Sequence, residues 1–131
     1  MKLKDRVVLI TGAGWGIGHQ TALACAREGA KIVAVDLDEA AAIKTCEAVG
    51  SGDAIAVHSD VSRAADCARM VQRAEEDFGR LDVLFNNAGM GCNKRLENSA
   101  DGDFEHHVAV HLFAMANAMR AVIPHMRAQN Y

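Results

Sequence analysis

The eight residues Thr11-Gly12-Ala13-Gly14-Trp15-Gly16-Ile17-Gly18 constrain the fold of this chain more than any other stretch. They follow the apolar run Val7 to Ile10 and precede a helical-looking segment from Ile17 to about Arg27. A buried strand, a tight glycine turn and a helix start together form a site for a diphosphate. Glycines let the backbone turn with positive φ and leave no Cβ between main chain and ligand. The helix N-terminus then offers unpaired N–H groups and a partial positive charge to an anion. Turns also use glycine freely without any nucleotide, so the rest of the chain has to decide.

Downstream, short apolar runs alternate with helical patterns. Val7 to Thr11 reads as a first strand, apolar on consecutive positions as expected where both faces of a sheet are covered. The helix after it carries Ala22, Leu23 and Ala26 at helical spacing and stops at Gly29. Lys31 to Asp36 is a second strand, ending in a carboxylate, and Asp38 stands ready to cap a helix from Glu39 to Val49 that runs out at Gly50-Ser51-Gly52. Ala54 to His58 forms a third strand, and Ser62 is the expected cap of a helix that reaches Phe78 and closes at Gly79. Leu81 to Phe85 is a fourth strand, followed by Asn86-Asn87-Ala88-Gly89, a loop to about Ser99 and a long helix from roughly Asp103 to Met126. Strands alternating with helices of this length imply βαβ units and a parallel sheet. The expectation is one α/β domain over residues 1–131, without linker or repeat.

Composition excludes several functions. The chain has 131 residues, half of them hydrophobic and one of them proline, enough for a real core. A net charge of -3 argues against a nucleic-acid partner held by electrostatics. The longest apolar stretch, Val108 to Ile123, contains His111, Asn117 and Arg120, which argues against a membrane span. Cys25, Cys46, Cys67 and Cys92 stand far apart with no Cys-x-x-Cys, and the first three read as small buried thiols of helices. A reducing, cytoplasmic setting fits that usage.

Asp36 lies 18 residues beyond Gly18 at the end of the second strand, where an acidic side chain meets the adenosine ribose of a dinucleotide. A carboxylate there accepts hydrogen bonds from ribose hydroxyls and repels the extra phosphate of NADP. Trp15 agrees with NAD, because no Arg or Lys stands in the glycine turn. The alternative for Asp36 is a strand-end carboxylate that caps the following helix.

Taken in order, Thr-Gly-x-x-x-Gly-Ile-Gly at 11–18, Asp60-Val61 after the third strand and Asn-Asn-Ala-Gly at 86–89 resemble the short-chain dehydrogenase/reductase family over essentially the whole chain. That resemblance implies a Rossmann-type doubly wound parallel sheet with strand order 3-2-1-4. It implies that Gly12, Gly16, Gly18 and the backbone around Trp15 and Ile17 surround the diphosphate of NAD. Asp36 and Leu37 would face the ribose and adenine, Asp60 and Val61 the adenine ring, while Asn87, Ala88 and Gly89 border the cofactor and brace the sheet. It further implies hydride transfer with an alcohol or carbonyl substrate in a full-length parent, and a homo-oligomer packed through the long helix.

The departures from the family matter equally. In the segment Val110-His111-Leu112-Phe113-Ala114, His111 stands at the position of the family's active-site Asn, the one catalytic candidate within the chain. Some branches, notably peroxisomal hydroxyacyl-CoA dehydrogenases, are similar in having His there. The sequence ends at Tyr131, where the family's next strand should begin, before its catalytic Ser and Tyr-x-x-x-Lys pair. The expected reading is therefore a sheet truncated after the fourth strand and its helix, binding NAD but inactive alone. A non-catalytic dinucleotide-binding module and an interaction subunit pairing with a full-length relative are the alternatives.

The remaining candidates are weaker. His107 and His111, four apart with Asp103 one turn before, have a spacing compatible with metal, but no second-helix ligand set accompanies them, and no metal is expected. Met115, Met119 and Met126, with Phe104, Val108 and Leu112, read as a packing stripe. Glu75, Glu76 and Asp77 read as a solvated helix face, and Ser59 and Ser99 as turn or cap residues.

Overall fold

The computed structural model describes residues 1–50 and 52–130; Ser51, at the expected end of the second helix, and Tyr131 lie outside the described residues. The strands are β1 (Val7–Thr11), β2 (Lys31–Asp36), β3 (Ala54–His58) and β4 (Val83–Phe85). Between them run α1 (Gly16–Arg27), α2 (Glu39–Val49) and α3 (Ala64–Phe78). After β4 the chain makes a short 3₁₀ turn at Leu96–Asn98. It then forms α4 (Asp101–Val108), a π-helical turn (Ala109–Phe113) and α5 (Ala114–Ala128). All strand pairs are parallel, and the sheet order is β3-β2-β1-β4, as the Rossmann reading expects.

Alternate side chains of a strand point to opposite faces, so consecutive apolar residues fill two cores at once. Val7 and Leu9 of β1, with Val33 and Val35 of β2, pack beneath α3 and α5, against Met70, Val71, Ala118 and Val122. Val8 and Ile10, with Ile32 and Ala34, pack on the other face against Ala22 of α1 and Ala42 of α2. Each large side chain so buried contributes about 1.5–3 kcal/mol relative to exposure. The small residues Ala22 and Ala42 let α1 and α2 lie close on the sheet.

Helix ends follow local chemistry, with one correction. Asp38 caps α2 as expected, its carboxylate accepting from the Ala41 amide at 3.1 Å. Gly50 and Gly79 end α2 and α3 in the left-handed region, with φ of 72° and 73°, where a side chain would be strained. Ser62 does not cap α3. The cap position falls on Arg63, without a side-chain hydrogen bond, because the Ser62 hydroxyl and amide both donate to Asp60 Oδ1, at 2.6 and 3.0 Å. The long helical segment also begins earlier than Asp103, at Asp101. Asp103 Oδ2 accepts from the Ala100 amide at 2.9 Å and so closes the first turn.

The fourth strand, Val83–Phe85, is shorter than expected, although the Asp82 amide still donates to the Val7 carbonyl of β1 at 3.0 Å. Gln129 brackets Leu81, accepting from its amide at 3.3 Å and donating to its carbonyl at 3.1 Å. Asp82 is buried and accepts from Val7 N, Arg6 and Arg80, at 2.6 to 2.9 Å. Burial alone would raise the Asp82 carboxyl, but the hydrogen bonds from Arg80, Val7 and Arg6 outweigh it and hold it at about 2. Among the described residues β4 is an edge strand, paired with β1 on one side.

Candidate functional site

A cleft of about 480 Å³ opens at the C-terminal ends of the strands, where the loops after all four converge. This is where parallel α/β sheets with this order hold ligands. The turn after β1 contributes Gly12, Trp15 and Gly16; the end of β2 contributes Asp36 and Leu37. The turn after β3 adds Ser59, Asp60 and Val61, and the loop after β4 adds Asn87, Ala88, Gly89 and Met90. His106 and Val110 close the far side.

The glycine turn is shaped by close approach. A Cβ on Gly18 would overlap the Gly12 carbonyl oxygen and lie 2.7 Å from Asn87 Nδ2, so a side chain at this position cannot fit. Gly16, at φ of 52°, has the opposite surroundings: a Cβ there meets nothing within 4 Å, since it would project into open space. Asn87 binds this turn to β4. Its Nδ2 donates to the carbonyls of Thr11 and Gly12 at 3.0 and 3.3 Å, while the Thr11 hydroxyl accepts the amides of Asn87 and Ala88 at 3.0 Å each. The start of α1 has no side-chain cap and no acidic residue in its first turn, so no side chain there opposes the positive end of its dipole.

Charge in the cleft is negative and localised. Asp36 accepts from the Gly14 amide at 2.8 Å and the Asp38 amide at 2.9 Å, which leaves part of its acceptor capacity for a ligand. No Lys or Arg lines the cleft among the described residues. Asp60 is oriented by Ser62 and by Asp66, whose Oδ2 accepts the Asp60 amide at 2.9 Å. That amide, with Arg69 beside it, holds the Asp66 carboxyl below its ordinary range. Trp15 and Leu37 are both well exposed and form an apolar rim.

Most of the sequence-derived set converges on this cleft, but three members lie elsewhere. Ile17 is 72% exposed and faces a shallow surface hollow with Gln20, Thr21 and Ala24. Gly18 lies beneath the turn. His111 faces a second hollow of about 230 Å³, beside the cleft rather than in it, bounded also by Thr11, Asn86 and Met115. The histidine pair is not arranged as a ligand set. The rings of His107 and His111 stack at 5.8 Å, and His107 Nδ1 lies 2.7 Å from the backbone carbonyl of Asp103, whose carboxylate is held by Lys94.

Sequence reasoning missed Ser59, Met90, His106 and Val110 as cleft residues. Ser59 is the informative one. It is buried, and its Oγ has no hydrogen-bond partner within the protein while lining the cleft. A buried hydroxyl left unpaired costs about 1–3 kcal/mol, a cost that a polar ligand removes. The orphaned hydroxyl, the carboxylate of Asp36, the open space over Gly16 and the uncapped helix start suit an elongated ligand with a sugar hydroxyl and a phosphate.

The family model for short chain dehydrogenases matches residues 6–131. The chain belongs to the short-chain dehydrogenase family. It is 34% identical to an uncharacterised oxidoreductase of Listeria monocytogenes, over 98% of this chain and 53% of that protein. It is 37% identical to the CLA biosynthesis dehydrogenase/reductase of Lactiplantibacillus plantarum, over 96% of this chain and 45% of that one. Among solved structures, the 3-ketoacyl-(acyl-carrier-protein) reductase of Brucella melitensis, complexed with NADH, superposes with a TM-score of 0.93. Its identity is 38%, covering 97% of this chain and 52% of that one. The chain thus spans about half the length of these relatives.

Proposed function

We propose that this chain is the dinucleotide-binding portion of an NAD-dependent oxidoreductase, in which hydride passes between the nicotinamide and a hydroxyl- or carbonyl-bearing carbon. The observation that carries the reading is Asp36, a carboxylate at the end of β2 facing a cleft without Lys or Arg in its lining. A ribose diol donates to such a carboxylate, whereas a 2′-phosphate is repelled by it, so NAD is preferred to NADP. Gly12, Gly16 and the first-turn amides of α1, which include Ile17 and Gly18, hold the diphosphate. Leu37, Asp60 and Val61 border the adenine, and Asn87, Ala88 and Gly89 support the nicotinamide end. The NADH complex of the Brucella melitensis reductase supports this assignment by similarity.

When bound, the dinucleotide supplies the hydride acceptor or donor. The residues of this chain bind and orient it and exclude water from one side. The 131 residues contain no Tyr-x-x-x-Lys, and Tyr131 is their single tyrosine. In this reading these residues supply cofactor binding, and the alcohol or carbonyl substrate is handled by a longer protein of the length of its relatives. The exposed apolar residues of α4, the π turn and α5 support assembly with a second copy. No helix among the described residues is long and apolar enough to cross a membrane. Free cysteines on α1, α2 and α3 suit a cytoplasmic setting.

Trp15 is the chain's single tryptophan and lines the cleft, which provides the test. NADH titrated into the protein is expected to quench Trp15 emission and to show energy transfer, with NADPH much weaker. Absence of any NADH signal in fluorescence and calorimetry overturns the reading.

A further inference from the structure

Two backbone groups of Met90 compete for a single ring nitrogen. His111 Nε2 lies 2.8 Å from the Met90 carbonyl oxygen and 3.2 Å from the Met90 amide nitrogen. An imidazole nitrogen carries either a proton or a lone pair, so it serves the carbonyl as donor or the amide as acceptor, never both together.

The surrounding structure brings the ring to this point. His111 stands within the π-helical turn Ala109–Phe113, between two α-helical segments. The loop can come this close because residue 89 is glycine: a Cβ there would lie 2.9 Å from His111 Cε1. Met90 lines the cofactor cleft, as does Val110, the neighbour of His111. Whatever His111 does to Met90 is therefore felt in that cleft.

We propose that His111 is a positioning residue that exchanges its backbone partner on Met90 with its protonation state. The neutral ring reaches either group by changing tautomer. The cation, with protons on both nitrogens, holds the carbonyl alone and releases the amide. This ring is exposed, so protons from solvent reach it.

Few other charges face the ring. The hollow it borders is lined from β1 by Thr11, from the loop after β3 by Val61, from the loop after β4 by Asn86, and from α5 by Ala114 and Met115; none of these titrates. On its own helical segment His107 stacks against it, and a charge on either ring opposes a charge on the other. His106, one residue before His107, lines the cofactor cleft. Coupling of the exchange to cofactor binding rests on the function proposed above, while the exchange itself does not.

The test is nitrogen-15 NMR of the 131-residue chain between about pH 5 and 8, following the His111 ring nitrogens and the Met90 amide. The Met90 amide is expected to titrate with the His111 midpoint. Its protection, corrected for intrinsic exchange, falls roughly 2- to 10-fold at the acid end, the worth of one ordinary hydrogen bond. His111→Asn offers a donor and an acceptor together, so it removes the Met90 titration and keeps acid protection; His107→Gln leaves the titration in place. A Met90 amide that ignores the His111 midpoint, or that titrates equally in His111→Asn, overturns the proposal. NADH affinity measured over the same range should vary with pH in the parent chain and be flat in His111→Asn. Flat affinity in both overturns the coupling. No NADH binding with the Met90 titration intact strikes the cofactor reading and leaves the partner exchange standing.

Discussion

The Asp36 carboxylate accepts the Gly14 amide across 2.8 Å, joining the end of β2 to the glycine turn after β1. The contact is possible because Gly14 has no side chain: a Cβ there would lie 2.6 Å from Ala41 Cβ and 2.9 Å from Asp36 Oδ2. One carboxylate therefore both braces the turn and presents charge to the cleft. Its other oxygen accepts the Asp38 amide at 2.9 Å, but the cap of α2 is Asp38 itself, so Asp36 is not the helix cap that the sequence offered as an alternative.

Replacing Asp36 with Ala is expected to act on both roles. Leaving two amides without their acceptor should cost about 1–3 kcal/mol of stability, read by urea denaturation. NADH affinity should fall about 10-fold while NADPH affinity holds or rises, because hydrogen bonds and repulsion vanish together. An unchanged ratio of the two affinities in the Asp36→Ala variant would remove the basis for NAD preference.

Ser59 should respond with opposite signs in two measurements. Its buried Oγ lacks a partner within the protein. Ser59→Ala is thus expected to leave the free protein as stable or more stable, by up to about 1 kcal/mol in thermal unfolding. The same change should weaken NADH binding by roughly 3- to 10-fold, the loss of one hydrogen bond to a ligand. Equal NADH affinity in the two proteins would show that the hydroxyl serves no ligand.

Asp82 governs acid stability. Its carboxyl is held at about 2, against an ordinary 3.8. The folded state thus binds this proton less readily than the unfolded chain, and the stabilisation is present in full above about pH 4. It is lost as pH falls from about 4 toward 2, where Asp82 protonates in both states. Asp82→Asn should cost about 1–3 kcal/mol at neutral pH: it removes the charge-assisted bonds from Arg6 and Arg80, but both arginines are partly exposed, so water screens the charge left behind. The variant should also show a flatter stability profile between about pH 4 and 2 than the parent. Parallel profiles would assign the acid sensitivity to other carboxylates.

What could be read from the sequence differs by the range of the interaction. The strands of residues 7–11, 31–36 and 54–58 were legible because apolar residues on consecutive positions admit few other structures. The cleft set was legible because its members stand at strand ends. Ser62 was misread because its hydroxyl donates to Asp60 Oδ1 instead of accepting a first-turn amide of α3. Leu81 and Asp82 read as strand because they lead into the apolar run Val83 to Phe85. Apart from Arg80 close to Asp82, their partners in hydrogen bonds that involve a side chain, Gln129, Arg6 and Val7, are 48 or more residues away. The pairing of His111 with Met90 was illegible for the same reason, and a π turn leaves no periodic signature in five residues. An orphaned hydroxyl such as that of Ser59 becomes visible only once every neighbour has been placed.

The helical segment from Asp101 to Ala128 leads to the last prediction. Ala114, Ala118 and Val122 are buried beneath α3 and the sheet, so that face of α5 is occupied. The other faces leave Phe104, Val108, Leu112, Phe113, Met115, Met119 and Ile123 between 41% and 56% exposed. They follow one another at intervals of one to four residues along one helical segment instead of standing as scattered single residues. Completing the burial of each contributes on the order of 1 kcal/mol, and several together on both copies are comparable with the cost of associating two chains. The edge of β4 adds unpaired backbone groups, yet it is three residues long and offers less than the helix does. We therefore expect the chain to self-associate through this helix, with a light-scattering mass above the monomer that falls on dilution. Met119→Glu with Ile123→Glu lies far from the cleft and on the exposed side, so it should return a monomer that still binds NADH. A parent chain that is already a stable monomer at micromolar concentration, or an unaltered mass in the double variant, would move the contact away from this surface.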